Sequence, residues 1–269
     1  MGLITITSDW GENDHYAAAV KTKIYGYFPA ATVVDVTHHV PLFDIGKAAY
    51  FIRNIYPYSP DGTVHIIGVD TIADRNRAHL IVCYHNQFFV GTDNGIFSLL
   101  FPKDETPSEV YEITEMQDHD SFTFPSRDLF AKIAALLASG TPPNKLGIPA
   151  QILNHITPTV LRTDKHESHA EIIGDVTYID RYENVNTNIH RSLFEEFQSQ
   201  YTHFEILHLD MTHVDPITKI SSAYSDVRIS NPLALFATDG YLQIAMNKAK
   251  AASLLGFRKD SSVIVRFRN

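Results

Sequence analysis

The chain has 269 residues, of which 22 are lysine or arginine and 31 are aspartate or glutamate. The length suits one large domain or two ordinary ones, and the net charge of −9 argues against a nucleic-acid partner, whose phosphate backbone requires a basic surface. Because the chain has one cysteine, it cannot form an internal disulfide. No apolar run approaches the roughly 20 residues of a membrane span, and the start lacks a signal-peptide pattern. We therefore expect a cytoplasmic protein.

The first part of the chain alternates strands and helices. Apolar runs predict strands over 3–7, 32–36 and 63–69, while helical patterns predict helices that begin near residue 17 and over 44–54. This order is typical of βαβ units, whose right-handed crossovers bring the carboxyl ends of parallel strands to one edge of a sheet.

Four further elements are predicted after the third strand. They are a hairpin over 78–90, a short helix over 96–100, a strand over 109–113 and a helix over 129–139. Ser126 is a candidate cap for the last helix, and the segment 140–158, rich in proline and glycine, suggests an interdomain linker. We therefore predict an N-terminal α/β domain over 1–150 with a mostly parallel central sheet.

The second part of the chain has another pattern, in which only two helices, near 190–198 and 248–255, interrupt a series of strands. The strands are predicted over 171–180, 185–189, 203–209, 233–237, 241–245 and 262–267. Several short strands with turn signals between them favour a smaller β-barrel or sandwich domain over 151–269.

Acidic residues follow the first and third predicted strands. Asp9 follows the first strand, and Asn13 or Asp14 could cap the helix that comes next. Asp70 ends the third strand and precedes a loop that contains Arg77, which could be a simple salt bridge or a pair that orients a water molecule. We expect a ligand site at this edge, because open α/β sheets bind ligands beyond the carboxyl ends of their strands.

The common motifs for metals, nucleotides and serine nucleophiles are missing from the sequence. No group of histidines has zinc-ligand spacing with a cysteine, no glycine-rich phosphate loop follows a strand, and Ser126 lies outside a Gly-x-Ser-x-Gly elbow. We therefore expect no metal and no bound cofactor.

Several short motifs occur in a fixed order over nearly the whole chain. They are Ser8-Asp9-Trp10-Gly11, Val34-Asp35-Val36-Thr37-His38, Thr92-Asp93-Asn94-Gly95 and Ile179-Asp180-Arg181-Tyr182-Glu183-Asn184. Together they resemble the motifs of the S-adenosylmethionine hydroxide adenosyltransferase family, which is related to fluorinases and chlorinases. The resemblance implies an α/β domain, a C-terminal β-barrel, a homotrimer with sites between neighbouring subunits, and attack at ribose C5′ of S-adenosylmethionine with loss of methionine.

The resemblance also implies roles for single residues. Asp9 would bind the ribose hydroxyls, Asp14 would lie near the methionine ammonium group, and Asp70 with Arg77 would orient the attacking water. The remaining substrate contacts would come from Phe43, Phe124, Tyr182 and Asn184, the last two at adenine. A carboxylate suits a ribose diol, and aromatic and amide groups suit a flat base with a polar edge.

Two departures from the family pattern leave the nucleophile open. The loop after Asp70 lacks the glycines of the hydroxide-transferring members, and Pro125, which has no proton acceptor, replaces the histidine of their Phe-His-Gly-Arg-Asp motif. Ser126 stands where the halide-using relatives have a serine. We predict an S-adenosylmethionine hydrolase that uses Asp70, Arg77 and Ser126. The first alternative is a catalytically impaired protein that binds adenosine or S-adenosylmethionine, and the second is a halide-using adenosyltransferase.

Overall fold

The computed structural model describes residues 2–101, 105–114, 123–156, 161–165, 169–208, 215–259 and 261–269. The chain forms two compact units, Met1–Ile156 and Thr157–Asn269. No helix within the described residues is long and apolar enough to cross a membrane.

The first unit is built on a seven-stranded sheet with helices on both faces. Its strands are β1 (Leu3–Ser8), β2 (Thr32–Thr37), β3 (Val64–Gly68), β4 (His79–Tyr84), β5 (Gln87–Thr92), β6 (Glu109–Ile113) and β7 (Gly147–Pro149). Its helices are α1 (Tyr16–Tyr27), α2 (Ile45–Arg53), α3 (Phe97–Leu100) and α4 (Ala131–Ala138). Shorter turns are 3-10 helices at Tyr56–Tyr58 and Pro143–Lys145 and a π-helical turn at Ser126–Phe130.

The strand order is β2-β1-β3-β5-β4-β6-β7. The four strands β2, β1, β3 and β5 are parallel, whereas β4, β6 and β7 are each antiparallel to the strand before them in this order. From β1 the chain goes on to β2, toward one edge of the sheet, and from β3 it goes on to β4, toward the opposite edge. The carboxyl ends of β1 and β3 therefore form a switch point, where sheets of this type bind their ligands.

The central strands β1, β3, β4 and β5 are buried because both faces of the sheet are covered there, whereas the edge strand β2 is largely exposed. Ile66 belongs to the core beneath α1 and α4, whereas its neighbour Ile67 belongs to the core beneath α2 and α3. Successive side chains of a strand point to opposite faces, so a strand covered on both sides is apolar at most of its positions. This explains why β1 and β3 are recognisable as strands, although Thr5, Thr7 and His65 are buried within them.

Both predicted helix caps are wrong. The residue at the start of α1 is His15, whose backbone is helical and whose side chain makes no cap hydrogen bond, so neither Asn13 nor Asp14 acts as the cap. The other helix already begins at Pro125, so Ser126 lies inside the first turn and cannot cap it. A side-chain cap requires an extended residue immediately before the helix.

The predicted linker over 140–158 is also partly wrong. Gly147–Pro149 forms β7, which pairs with β6 at the edge of the sheet. Residue 147 must be glycine for this close approach, because a Cβ there would overlap the carbonyl oxygen of Glu112. Residues 157 and 158 lie outside the described part of the chain.

The second unit is an antiparallel sheet. Its strands are β8 (Arg162–Lys165), β9 (His169–Ile179), β10 (Val185–His190), β11 (His203–His208), β12 (Pro232–Phe236), β13 (Tyr241–Met246) and β14 (Ser262–Arg268). Its helices are α5 (Arg191–Gln198) and α6 (Ala251–Leu255), with a 3-10 turn at Tyr224–Asp226. The order is β11-β14-β9-β10-β13-β12, and β8 also pairs with β9.

The predicted β-barrel is not confirmed for this unit. The edge strands β11 and β12 are not paired with each other in the described residues, and each instead makes a bridge to the segment that contains Ile217 and Ile220. The strands therefore form a curled sheet around an aromatic core that includes Phe194, Phe204 and Phe267.

Candidate active site

An ion pair lies at the carboxyl end of β3. Asp70 pairs with Arg77, whose Nη2 also donates to the Asp70 carbonyl oxygen at 3.3 Å. Asp70 has a φ of +48°, a left-handed conformation that is uncommon for residues other than glycine but is tolerated by aspartate. Nδ2 of Asn94 donates to the carbonyl oxygens of Val69 and Asp70 at 3.1 and 3.0 Å. Side-chain hydrogen bonds therefore hold this turn, although the loop over 69–78 contains no glycine.

The loop after Asp70 is fixed by two further side chains. The carbonyl oxygen of Thr71 accepts hydrogen bonds from Nε2 of His79 and from Oγ1 of Thr92, both at 2.9 Å. A carbonyl oxygen only accepts, so Nε2 carries the imidazole proton. Burial lowers the pKa of His79, and its bond to Thr71 partly opposes this effect. Sequence reasoning missed His79, Thr92 and Asn94, although all three lie at or next to strand ends that border Asp70.

Asp9 lies at the end of β1, next to β3 in the sheet. Its Oδ2 accepts a hydrogen bond from the backbone N–H of Phe43 at 2.9 Å. Burial raises the pKa of Asp9, the hydrogen bond from Phe43 opposes the rise, and the charge of Asp70 adds to it. The structure thus brings Asp9, Asp70 and Arg77 to one edge. Phe43 contacts Asp9 through its backbone, and its ring is exposed.

An aromatic cluster borders Asp9. Trp10 contacts Phe124 edge to face with 5.4 Å between ring centroids, and Phe124 contacts Tyr16 in the same way at 5.3 Å. The ring of Trp10 lies against Gly68, where a Cβ would overlap Cζ2 of the indole. The predicted substrate residue Phe124 is therefore held by Trp10 and Tyr16, which sequence reasoning did not assign to the site. The one tryptophan of the chain, directly after Asp9, was the available signal.

The structure does not link Asp14 and Ser126 to the Asp70–Arg77 pair by any hydrogen bond among the described residues. Asp14 is exposed just before α1. Ser126 is fully buried in the π-helical turn, which packs against β3 and α1. Its hydroxyl has no hydrogen-bond partner in the described part of the chain. Single π-helical turns inside helices are frequent at functional sites.

In the second unit, Tyr182 and Asn184 belong to one tight turn around Asp180. The Asp180 carboxylate accepts hydrogen bonds from the backbone N–H groups of both residues, at 2.8 and 2.9 Å, and from Nδ2 of Asn184 at 2.9 Å. Glu183, between them, has a φ of +61° and pairs with Lys250 at 3.0 Å. The turn buries Asn184 and leaves the ring of Tyr182 79% exposed.

The donors and acceptors of the site suit an organic ligand. Across the residues that the structure describes, no three histidine, cysteine, aspartate or glutamate side chains form a group that could hold a metal ion. Asp9 takes one backbone N–H and Asp70 takes one guanidinium, so each carboxylate keeps acceptor capacity for hydroxyl groups or water.

Comparison with known proteins finds matches to one family over both units. Residues 4–147 match the model of the SAM hydroxide adenosyltransferase N-terminal domain, and residues 174–264 match that of the C-terminal domain. An (R)-S-adenosyl-L-methionine hydrolase of Thermus thermophilus is 29% identical, with 98% of this chain and 99% of that protein covered. A fluorinase of Nocardia brasiliensis is 24% identical, with 98% and 96% covered.

Among solved structures, that of a conserved protein from Thermotoga maritima matches with a TM-score of 0.82 and 26% identity, and the match covers 97% of this chain and 99% of the other. The family models together span most of the chain, in the order in which its two units occur. The chain belongs to the SAM hydroxide adenosyltransferase family.

Proposed function

We propose that the protein hydrolyses S-adenosyl-L-methionine to adenosine and methionine. The observation that carries the proposal is the Asp70–Arg77 pair at the end of β3, which lies within electrostatic reach of Asp9 at the end of β1. Relatives that bear the name (R)-S-adenosyl-L-methionine hydrolase match nearly the full chain at 25% and 29% identity, which supports the same reaction.

In the proposed complex the carboxylate of Asp9 accepts hydrogen bonds from the ribose diol, and Asp14 attracts the ammonium group of the methionine part. The groups proposed to contact the nucleoside are Phe43, Phe124, Tyr182 and Asn184. The exposed ring of Tyr182 and the half-buried ring of Phe124 offer flat apolar faces, and aromatic rings favour stacked or edge-to-face contacts with another ring.

The proposed reaction is a displacement at C5′. Arg77 holds the carboxylate of Asp70 by Oδ2, and Asp70 orients a water molecule and accepts its proton as the water oxygen attacks. The C5′–S bond breaks, and its electron pair neutralises the sulfonium and releases methionine as a thioether. The products are adenosine, methionine and one proton. Pro125 accepts no proton, so we assign the base role to Asp70.

The test combines product analysis with one matched pair of variants. The wild-type protein should convert S-adenosylmethionine to adenosine and methionine, and heavy-oxygen water should label the 5′-hydroxyl group. Asp70→Asn should lower kcat by about 10² to 10⁴-fold, the range for loss of a general base, and leave the affinity for adenosine nearly unchanged. Asp61→Asn, in the turn before β3, should leave both quantities unchanged. Failure to form adenosine, with or without chloride, would refute hydrolysis.

Halide transfer is a second candidate, because the buried hydroxyl of Ser126 has no partner among the described residues and could donate to an anion. Fluorinases are also among the relatives of this chain. This candidate expects a halogenated 5′-deoxyadenosine when chloride is supplied, and loss of that product in Ser126→Ala. A catalytically impaired binding protein would instead give calorimetric binding of adenosine or S-adenosylmethionine without any product.

We also infer that the protein is a cytoplasmic homotrimer. We infer that its functional domains are 1–150 and 151–269 and that the C-terminal strands close as a barrel. The reaction is proposed to use no metal and no other cofactor, and the protein to bind no nucleic acid. The family resemblance supports these inferences. Sedimentation should give three times the chain mass of 30.3 kDa. Chelators should leave the rate unchanged, and a monomer or a metal-dependent rate would refute the corresponding inference.

A further inference from the structure

A buried histidine connects the ends of β1 and β2. His38 is 4% exposed, and its Nδ1 lies 2.6 Å from Oγ of the fully buried Ser8. Its Nε2 lies 3.2 Å from Oδ1 of Asp35, which is ion-paired with Lys21, although this nitrogen makes no well-oriented hydrogen bond to a described residue. Both ring nitrogens of His38 therefore face a defined polar group.

Backbone hydrogen bonds strengthen the same connection. The N–H of Gly11 donates to the carbonyl oxygen of His38 at 2.7 Å, and the N–H of Val40 donates to that of Ser8 at 3.1 Å. Asp9 lies between Ser8 and Gly11, so the segment that carries its carboxylate is anchored on both sides to the end of β2.

The ring of His38 also supports the aromatic cluster. It stacks on Trp10 with 5.7 Å between centroids and 17° between ring planes. Trp10 in turn contacts Phe124. One imidazole is thus connected, through a single neighbour in each case, to Asp9, which we assign to the ribose, and to Phe124, which we assign to the nucleoside.

We propose that His38 is a positioning residue that sets the Asp9 carboxylate through Ser8 and the Phe124 ring through Trp10. The inference rests on the proposed function, because it assumes that Asp9 and Phe124 bind substrate. The backbone at Asp70 and Thr71 is held by Asn94, His79 and Thr92 instead. Loss of His38 therefore weakens substrate binding more than it slows the chemical step.

The structure offers a matched control, a second buried histidine whose hydroxyl partner also lies on β1. His65 is 1% exposed and its Nδ1 lies 2.7 Å from Oγ1 of Thr5, while its Nε2 lies 2.7 Å from Oε1 of Gln87. Thr5 is three residues before Ser8 on β1, away from the carboxyl end. Both histidines are thus buried and bonded to a β1 hydroxyl, but only His38 borders Asp9 and Trp10.

The experiment compares His38→Asn, which keeps a polar atom for Ser8 and removes the ring, with His38→Phe, which keeps the ring and removes the polar atoms. His65→Asn is the control. The readouts are KM and kcat for S-adenosylmethionine, the Kd of adenosine by calorimetry, and the fluorescence of Trp10, the sole tryptophan. Both His38 variants should raise KM and Kd about tenfold, with a smaller change in kcat. In His38→Phe the cause is the lost hydrogen bond to Ser8, and in His38→Asn it is the lost ring that supports Trp10.

The fluorescence separates the two routes. His38→Asn should shift the Trp10 emission, because the stacked ring is lost, whereas His38→Phe should retain it. Unchanged KM and Kd in the folded His38 variants, or an equal rise in His65→Asn, would overturn the inference. Where His38→Asn does not fold, Ser8→Ala with Thr5→Ala as its control gives the same comparison. Absence of turnover and adenosine binding in the wild type would instead refute the proposed function.

Discussion

The buried histidine of β3 should make the protein sensitive to acid. His65 is 1% exposed and its ring nitrogens are hydrogen-bonded to Thr5 and Gln87. Burial lowers the pKa of His65 from 6.5 to about 4, against the opposing effect of Gln87. The unfolded chain therefore binds the proton more readily than the folded protein. Stability from this group is complete above pH 6.5 and is lost as the pH falls toward 4.

The expected loss can be worked out from these two pKa values. Between pH 7 and pH 5 the linkage removes about 2 kcal/mol from the free energy of unfolding. This is a large fraction of the free energy of unfolding of a typical native protein, which is only about 5–15 kcal/mol.

Urea unfolding at pH 7 and pH 5 measures this loss, with Trp10 fluorescence as the signal for the first unit. His65→Gln should be less stable than the wild type at pH 7, because hydrogen bonds are lost, and the gap between the two should shrink by about 2 kcal/mol at pH 5. Other titrating groups, including Asp9 and His79, are present in both proteins and cancel in this difference. An equal pH dependence in wild type and variant would refute the reasoning.

Three further outcomes are expected. Arg77→Lys keeps the charge but not the planar guanidinium that holds Asp70, so steady-state kinetics should show kcat about tenfold lower with KM nearly unchanged. Burial raises the pKa of Asp9 above its ordinary value of 3.8, and a protonated carboxyl accepts fewer hydrogen bonds. As the pH is lowered, calorimetry should therefore show the affinity for adenosine beginning to fall while the pH is still above 3.8. Asp9→Asn should show no such pH dependence. Gly68→Ala should displace the ring of Trp10, shift its emission and destabilise the first unit by about 1–3 kcal/mol.

The sheet of the first unit was largely predictable because its strands are covered on both faces. The runs that became β1 and β3 are mostly apolar, and the hairpin of β4 and β5 has a short polar turn between two mostly apolar runs. β7 and β8 were missed, since three or four residues are too few to show a period. Closure of the second sheet depends on pairing between distant segments, which no local pattern records.

The candidate site was predictable to the extent that it follows from strand ends. Asp9 and Asp70 lie where parallel strands must end together, and Arg77 pairs with Asp70 within one loop. The support around them was not predictable, because Asn94 and His79 reach that loop from other strands. The helix caps failed because Asp14 and Ser126 were judged from residue type, while the actual helix starts decide which residue can cap.

The two departures from the family pattern have different physical consequences. The missing glycines are compensated, since Asn94 and Arg77 donate to the carbonyl oxygen of Asp70 and stabilise its left-handed backbone. The loss of a proton acceptor at Pro125 is not compensated in the same way, because the neighbouring Ser126 hydroxyl is buried and has no partner among the described residues that could take its proton. In the proposed hydrolysis the role of base therefore falls to Asp70, which Arg77 holds in place.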